Sequence, residues 1–123
     1  MYMRNVLPAE DFAGIEVVNS EGEDLGKVEK VMIDVKGGKV AYAVLSFGGF
    51  LGMGEKLFAI PWKALEISPS EEKFVLKVPR ERLKGARGFD RSNWPDMADE
   101  QWSTEVDRYF GYEEDRETAN TEG

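Results

Sequence analysis

The chain contains no cysteine and no histidine. Without cysteine there are no disulfides, no thiolate metal sites and no sulfur nucleophile. Without histidine, the side chain that most often serves as general base or pH switch near neutrality is missing. Long apolar runs are missing too. The N-terminus, MYMRNVLPAEDF, has no apolar core of signal-peptide length. The longest charge-free stretch, Val40 to Gly54, is too short and too rich in glycine to make a membrane-spanning helix. These absences lead to the expectation of a soluble, cytoplasmic protein with no cofactor and no metal. Its 123 residues are enough for one domain.

What is present is charge of one sign, in one place. The net charge is −8. Residues 1–95 hold 14 acidic and 14 basic side chains, while residues 96–123 hold ten acidic and two basic. The imbalance therefore lies wholly at the C-terminus, and it argues against nucleic acid as the main partner, because phosphate contacts dominate that affinity. One stretch runs the other way: Arg80, Arg82, Lys84, Arg87 and Arg91. It is either a solvated turn and short helix beside the acidic segment, or a small basic face for a phosphate or an acidic partner.

From Ile15 to Val78 the pattern is that of β-strands. Asn19-Ser20-Glu21-Gly22-Glu23-Asp24 has turn chemistry. Val28, Val31, Ile33 and Val35 mark a long strand whose phase breaks once, so a bulge near Glu29 or Lys30 is expected. Lys36-Gly37-Gly38-Lys39 is a hairpin turn. Val40 to Phe47 is apolar on both faces, so this strand sits mid-sheet or faces a partner. Leu57 to Trp62 resumes the β pattern, and Pro61 marks its end or an edge. Phe74, Leu76 and Val78 alternate as a further strand. Short strands with tight turns and no helix between them predict a mainly β fold, a small antiparallel barrel.

Beyond Val78 the texture changes. Pro79 to Leu83 can form a short helical turn, and Gly85 to Pro95 reads as a linker. Asp96 to Tyr112 has a helical pattern, with Asp96 or Asp99 as cap. Trp102, Val106, Tyr109 and Phe110 fall on one face of it. That face must bury against this barrel or against another copy. Residues 113–123 contain one apolar side chain, Ala119, and are expected to be disordered.

The stretch SFGGFLGMGEK, Ser46 to Lys56, carries four glycines in seven residues. It is not a phosphate-binding loop. Counting from Gly49, the second glycine falls at Gly54, but Glu55-Lys56 follows where lysine and a hydroxyl belong, and the next residues are β. Two readings remain. The loop is a hairpin connection whose apolar residues fold over the barrel mouth, or Phe50, Leu51 and Met53 project as a docking tip. Elsewhere, Glu21, Glu23 and Asp24 around Gly22 miss the calcium-loop spacing, since its first position would be Val17. Acidic pairs such as Glu71-Glu72 lie in solvated turns and lack anything to raise a pKa.

Residues 14 to 79 resemble a PRC-barrel domain. The resemblance is carried by NSEGEDLGKVE at 19–29, Ile33-Asp34, Gly37-Gly38, VLSFGGFLGMGEK at 44–56, AIPW at 59–62 and Leu65. It implies a barrel of about six strands and brings no catalytic motif with it. Asn93-Trp94-Pro95-Asp96, followed by Trp102 and Tyr109, resembles stand-alone bacterial members that add a helix to the barrel. Related domains in the photosynthetic reaction centre H subunit and in a ribosome maturation factor imply scaffolding or docking roles.

The expected organisation is an N-terminal extension (1–13), a barrel (14–79), a linker and helix (80–112) and an acidic tail (113–123). The expected function is a non-enzymatic interaction or scaffold module that forms a homodimer, through Phe50, Leu51, Met53, Trp102, Val106, Tyr109 and Phe110. The alternative is a binder of a small apolar or aromatic ligand, in the barrel or between barrels, marked by a cavity lined by Tyr42, Trp62 or Phe74.

Overall fold

A strand whose apolar residues change phase must either twist out of register or carry an extra residue. The second strand of this protein carries one. The computed structural model describes residues 8–48, 55–68 and 72–111. Its strands are β1 (Glu16–Val18), β2 (Asp24–Asp34), β3 (Lys39–Gly48), β4 (Glu55–Pro61), β5 (Leu65–Ser68) and β6 (Lys73–Leu76). On β2, Val28 pairs with Leu45 and Lys30 with Val44, which leaves Glu29 as the extra residue and keeps Val28 in the core. A second register shift, between Met32 and Ile33, was not signalled by the sequence. Val35 lies beyond the strand, in the turn.

Local polar groups set the turns. Asn19 is buried and acts as a peg. Its Oδ1 accepts from the backbone N–H of Glu21 and Glu23, and its Nδ2 donates to Glu23. Those bonds satisfy the acidic turn around Gly22 without an ion. At the β2–β3 turn the Asp34 carboxylate accepts from Gly37 N–H and its carbonyl accepts from Gly38 N–H.

Among the described residues six strands form one sheet in the order β4-β3-β2-β1-β6-β5, curled into a half-barrel. The strand number matches expectation, but the pairing is mixed rather than purely antiparallel. Val17 and Val18 of β1 run parallel to Phe74 and Val75 of β6. The reason lies after Pro61. A three-residue 3-10 turn, Trp62–Ala64, bends the chain without reversing it, so β4 and β5 keep the same sense at opposite edges of the sheet. One parallel pair must then appear where the two ends of the chain's β region meet. Strand β5, Leu65-Glu66-Ile67-Ser68, alternates over only four residues, and sequence reasoning did not find it.

Inside the curl, Val17, Leu25, Val28, Leu45, Ile60 and Leu76 form the core. Phe12, Trp62 and Phe74 fill one end. Their ring centroids stand 5.6–5.8 Å apart, two pairs edge-on and one stacked. Phe12 comes from a 3-10 turn at Ala9–Phe12, so a residue outside the sheet plugs the interior.

One glycine is fixed by close approach. Gly26 has a φ of 104°, and a Cβ there would overlap the Ser46 carbonyl oxygen of β3. Replacing Gly26 by alanine therefore combines backbone strain with a clash against another strand. A loss of about 2–4 kcal/mol is expected in urea unfolding of the variant. A loss under about 0.5 kcal/mol, within the range of ordinary surface substitutions, would contradict the close approach.

Candidate interaction surface

Alternation along β3 places Ala43, Leu45 and Phe47 in the core. Their neighbours Tyr42, Val44 and Ser46 lie opposite Pro61, Ala59 and Leu57 of β4, on the outer face. These outer residues are also buried, Val44 and Leu57 to 0 % exposure. A sheet face that is dry on its outer side needs a second layer, and the C-terminal part of the same chain supplies it.

The C-terminal segment begins at Pro79, the N-cap of helix α1 (Arg80–Lys84), whose Leu83 is fully buried in the core and ties the segment to the barrel. The chain then returns along β4. Phe89 N–H donates to the Leu57 carbonyl at 2.9 Å, and Leu57 N–H donates to the Phe89 carbonyl at 3.0 Å. The stretch that reads as a linker is thus a one-residue edge strand, and it satisfies backbone groups that β4 would otherwise leave open. Gly88 permits the approach, since a Cβ there would stand 2.9 Å from the Leu57 carbonyl oxygen. Phe89 is held in turn by Trp94, with ring centroids 5.1 Å apart.

Helix α2 spans Glu100–Tyr109, shorter at both ends than the periodicity predicts. Asp99 is the cap, accepting from Trp102 N–H, while Asp96 makes its own turn with Ala98 N–H. Polar residues that bond their own backbone stop the helix from starting earlier. The face carrying Trp102, Val106, Tyr109 and Phe110 is turned to the protein's own barrel. Trp102 packs edge-on against Tyr42 at 5.3 Å, and Phe110 packs against the core. Tyr109 and Arg82 clasp each other. The Tyr109 hydroxyl donates to the Arg82 carbonyl at 2.6 Å, Arg82 Nη2 donates to the Tyr109 carbonyl at 2.6 Å, and the guanidinium lies 3.9 Å from the ring centre.

The other basic residues of the 80–91 stretch also have partners within the chain. Arg80 donates to the Asp24 carbonyl, Lys84 pairs with Glu81, Arg87 with Glu105, and Arg91 with Glu29. Glu29 is the bulge residue of β2. Arg91 forks onto its carboxylate, and this hydrogen bonding holds the Glu29 carboxyl below its ordinary value of 4.5 against the opposing effect of partial burial. Here the anomaly in the strand and the basic run explain one another. Neither is visible as a partner in the sequence, because 62 residues separate them.

Three further features bear on contacts. Phe50, Leu51 and Met53 lie outside the described residues, and the ends of their loop are held by the pair Gly48 and Glu55. At the opposite end of β3, Val35 is 88 % exposed and Ile33 48 %, and on the β5 edge Ile67 is 46 % exposed. A cleft of about 190 Å³ opens between α2, β4 and residues 86–87. Among the described residues no group of three or more acidic side chains is placed to hold a metal, and no helix is long and apolar enough to cross a membrane.

The model of the PRC-barrel domain family matches residues 4–83. The chain belongs to that family. PRC-barrel domains serve as interaction and scaffold modules and are generally non-catalytic. No curated protein matches the chain.

Two consequences can be measured. Trp102→Ala removes the ring that covers Tyr42, and a cost of about 2 kcal/mol is expected for this half-buried site. Glu29→Gln is expected to cost about 0.5–1 kcal/mol at neutral pH. Because the folded-state pKa of Glu29 is depressed, its contribution is complete above the unfolded value and fades as pH falls through the lower folded value. The stability gap between wild type and Glu29→Gln should therefore close below pH 4.5. A gap that persists unchanged in acid would contradict the ion pair.

Proposed function

We propose that this protein is a non-enzymatic scaffold module that self-associates and offers a second contact point to another protein. The observation that carries the reading is the exposure of Val35 and Ile33 at the β2–β3 end, after both faces of β3 have been covered from within the chain. Exposed aliphatic side chains at a rigid hairpin end are suited to pairing with a second copy.

The second contact point is the glycine loop with Phe50, Leu51 and Met53. It follows the other end of β3, and ten residues of strand separate the two ends, roughly 30 Å. Apolar segments attached at the two ends of one strand suit a part that joins two others. In this reading Trp102, Val106, Tyr109 and Phe110 work chiefly inside the chain, holding α2 on the barrel.

A second reading, binding of a small apolar or aromatic ligand, is supported by the cleft beside α2 rather than by the barrel interior. Trp62 and Phe74 pack on each other and on Phe12, and Tyr42 belongs to the outer face beneath Trp102.

Light scattering on the full chain tests the proposal, with affinity capture from cell lysate beside it. Wild type is expected to have the mass of a dimer, and Ile33→Glu with Val35→Glu that of a monomer. Changing Phe50, Leu51 and Met53 to serine should leave the mass unchanged and abolish capture of a partner. A wild-type protein that stays monomeric at high concentration rules out self-association.

A further inference from the structure

Helix α2 lies on the barrel without closing on it. Two small side chains, Ala59 on β4 and Ala86 after α1, line the cleft of about 190 Å³ together with Val106 of the helix. Small residues in such a lining leave space that larger ones would fill. The space cannot collapse either, because each aromatic wall is held from outside it. Trp102 is packed on Tyr42, Phe58 on Phe47, Tyr109 is clasped by Arg82, and Phe110 packs against the core. An apolar cavity of about 150 Å³ is enough to take up benzene. A drug-sized ligand needs about 300 Å³ or more, so this cleft suits a single ring or a fused pair.

The mouth adds polarity. Arg87 and Glu105 line the cleft and pair with each other at 3.3 Å. Together they present donors and a carboxylate while their charges cancel. A charged ligand would meet one like charge there. A neutral ring bearing an N–H or O–H meets an acceptor at Glu105 and apolar walls on the sides away from the ion pair.

The geometry points to a binding site in this cleft for a small neutral aromatic molecule with one polar edge, of the indole or phenol type. The site rests on the ligand-binding reading and gives it a place and a chemical class. The pre-set walls mean that binding need not order the protein first. The ligand touches α2, Ala86 and β4 together, so it also fastens the helix to the sheet.

Indole and p-cresol serve as probes, titrated into the full-length protein and followed by amide shifts in NMR. Saturable shifts are expected at Ala59, Ala86 and Val106. Ala86→Leu and, separately, Val106→Phe fill the space. Each is expected to keep the native spectrum elsewhere and to weaken indole at least tenfold. If either fails to fold, the other carries the test. Glu105→Ala should weaken indole severalfold and leave toluene, which has no polar hydrogen, unchanged. Saturable binding with shifts at Trp62 and Phe74 instead would overturn the cleft while keeping ligand binding by the protein. Equal affinity in a folded filled variant also overturns the cleft. No saturable binding of either probe removes both the site and the reading beneath it.

Discussion

The C-terminal half of the structure depends on one strand that is apolar on both faces. An ordinary antiparallel strand alternates, with one face packed and the other wet. Strand β3 cannot do this, since Ala43, Leu45 and Phe47 fill the core while Tyr42 and Val44 on its outer side are just as dry. Hydration of that outer face is the cost that the C-terminal segment removes. Trp102 lies on that outer face against Tyr42, Phe89 pairs with the edge of β4, Leu83 and Phe110 tie the segment to the core, and the polar contacts from Arg80 to Arg91 hold it in place between them. The cover also meets the open edge of β4, so one segment answers two liabilities of a sheet that does not close.

Much of this architecture was legible because its causes are local. The bulge at Glu29 follows from a change in apolar phase, and the end of β4 follows from Pro61, which lacks an N–H. The start of α1 at Pro79 is equally local, and so is the cap of α2, which the sequence narrows to Asp96 or Asp99 and the structure assigns to Asp99. Other features depend on which segments meet in space. The parallel pairing of β1 with β6 arises from a bend at Trp62–Ala64 whose direction no residue there announces. The pairing of Phe89 with Leu57 turns an apparent linker into part of the sheet.

For the candidate site the sequence was only half informative. It showed that Trp102, Val106, Tyr109 and Phe110 share a face, and left open what that face meets. Nothing in the spacing could single out Ala59, Ala86 and Glu105, because alanines and surface acids are unremarkable until they line the same gap. Likewise the basic run looked like a possible face for anions. Its charges instead meet backbone carbonyls, an aromatic ring and carboxylates of the same chain.

The order of the segments has a consequence for synthesis. Strand β3 is finished by Gly48, while the helix that covers its outer face ends at Tyr109. At about 5–20 residues per second, the ribosome delivers those intervening residues in roughly 3–12 s. Through that interval the nascent chain holds a strand whose second face has no cover of its own. Co-translational folding of β3 is thus a wait for helix α2, and the window in which a chaperone, or a neighbouring chain on the same message, can engage β3 is written into the sequence order.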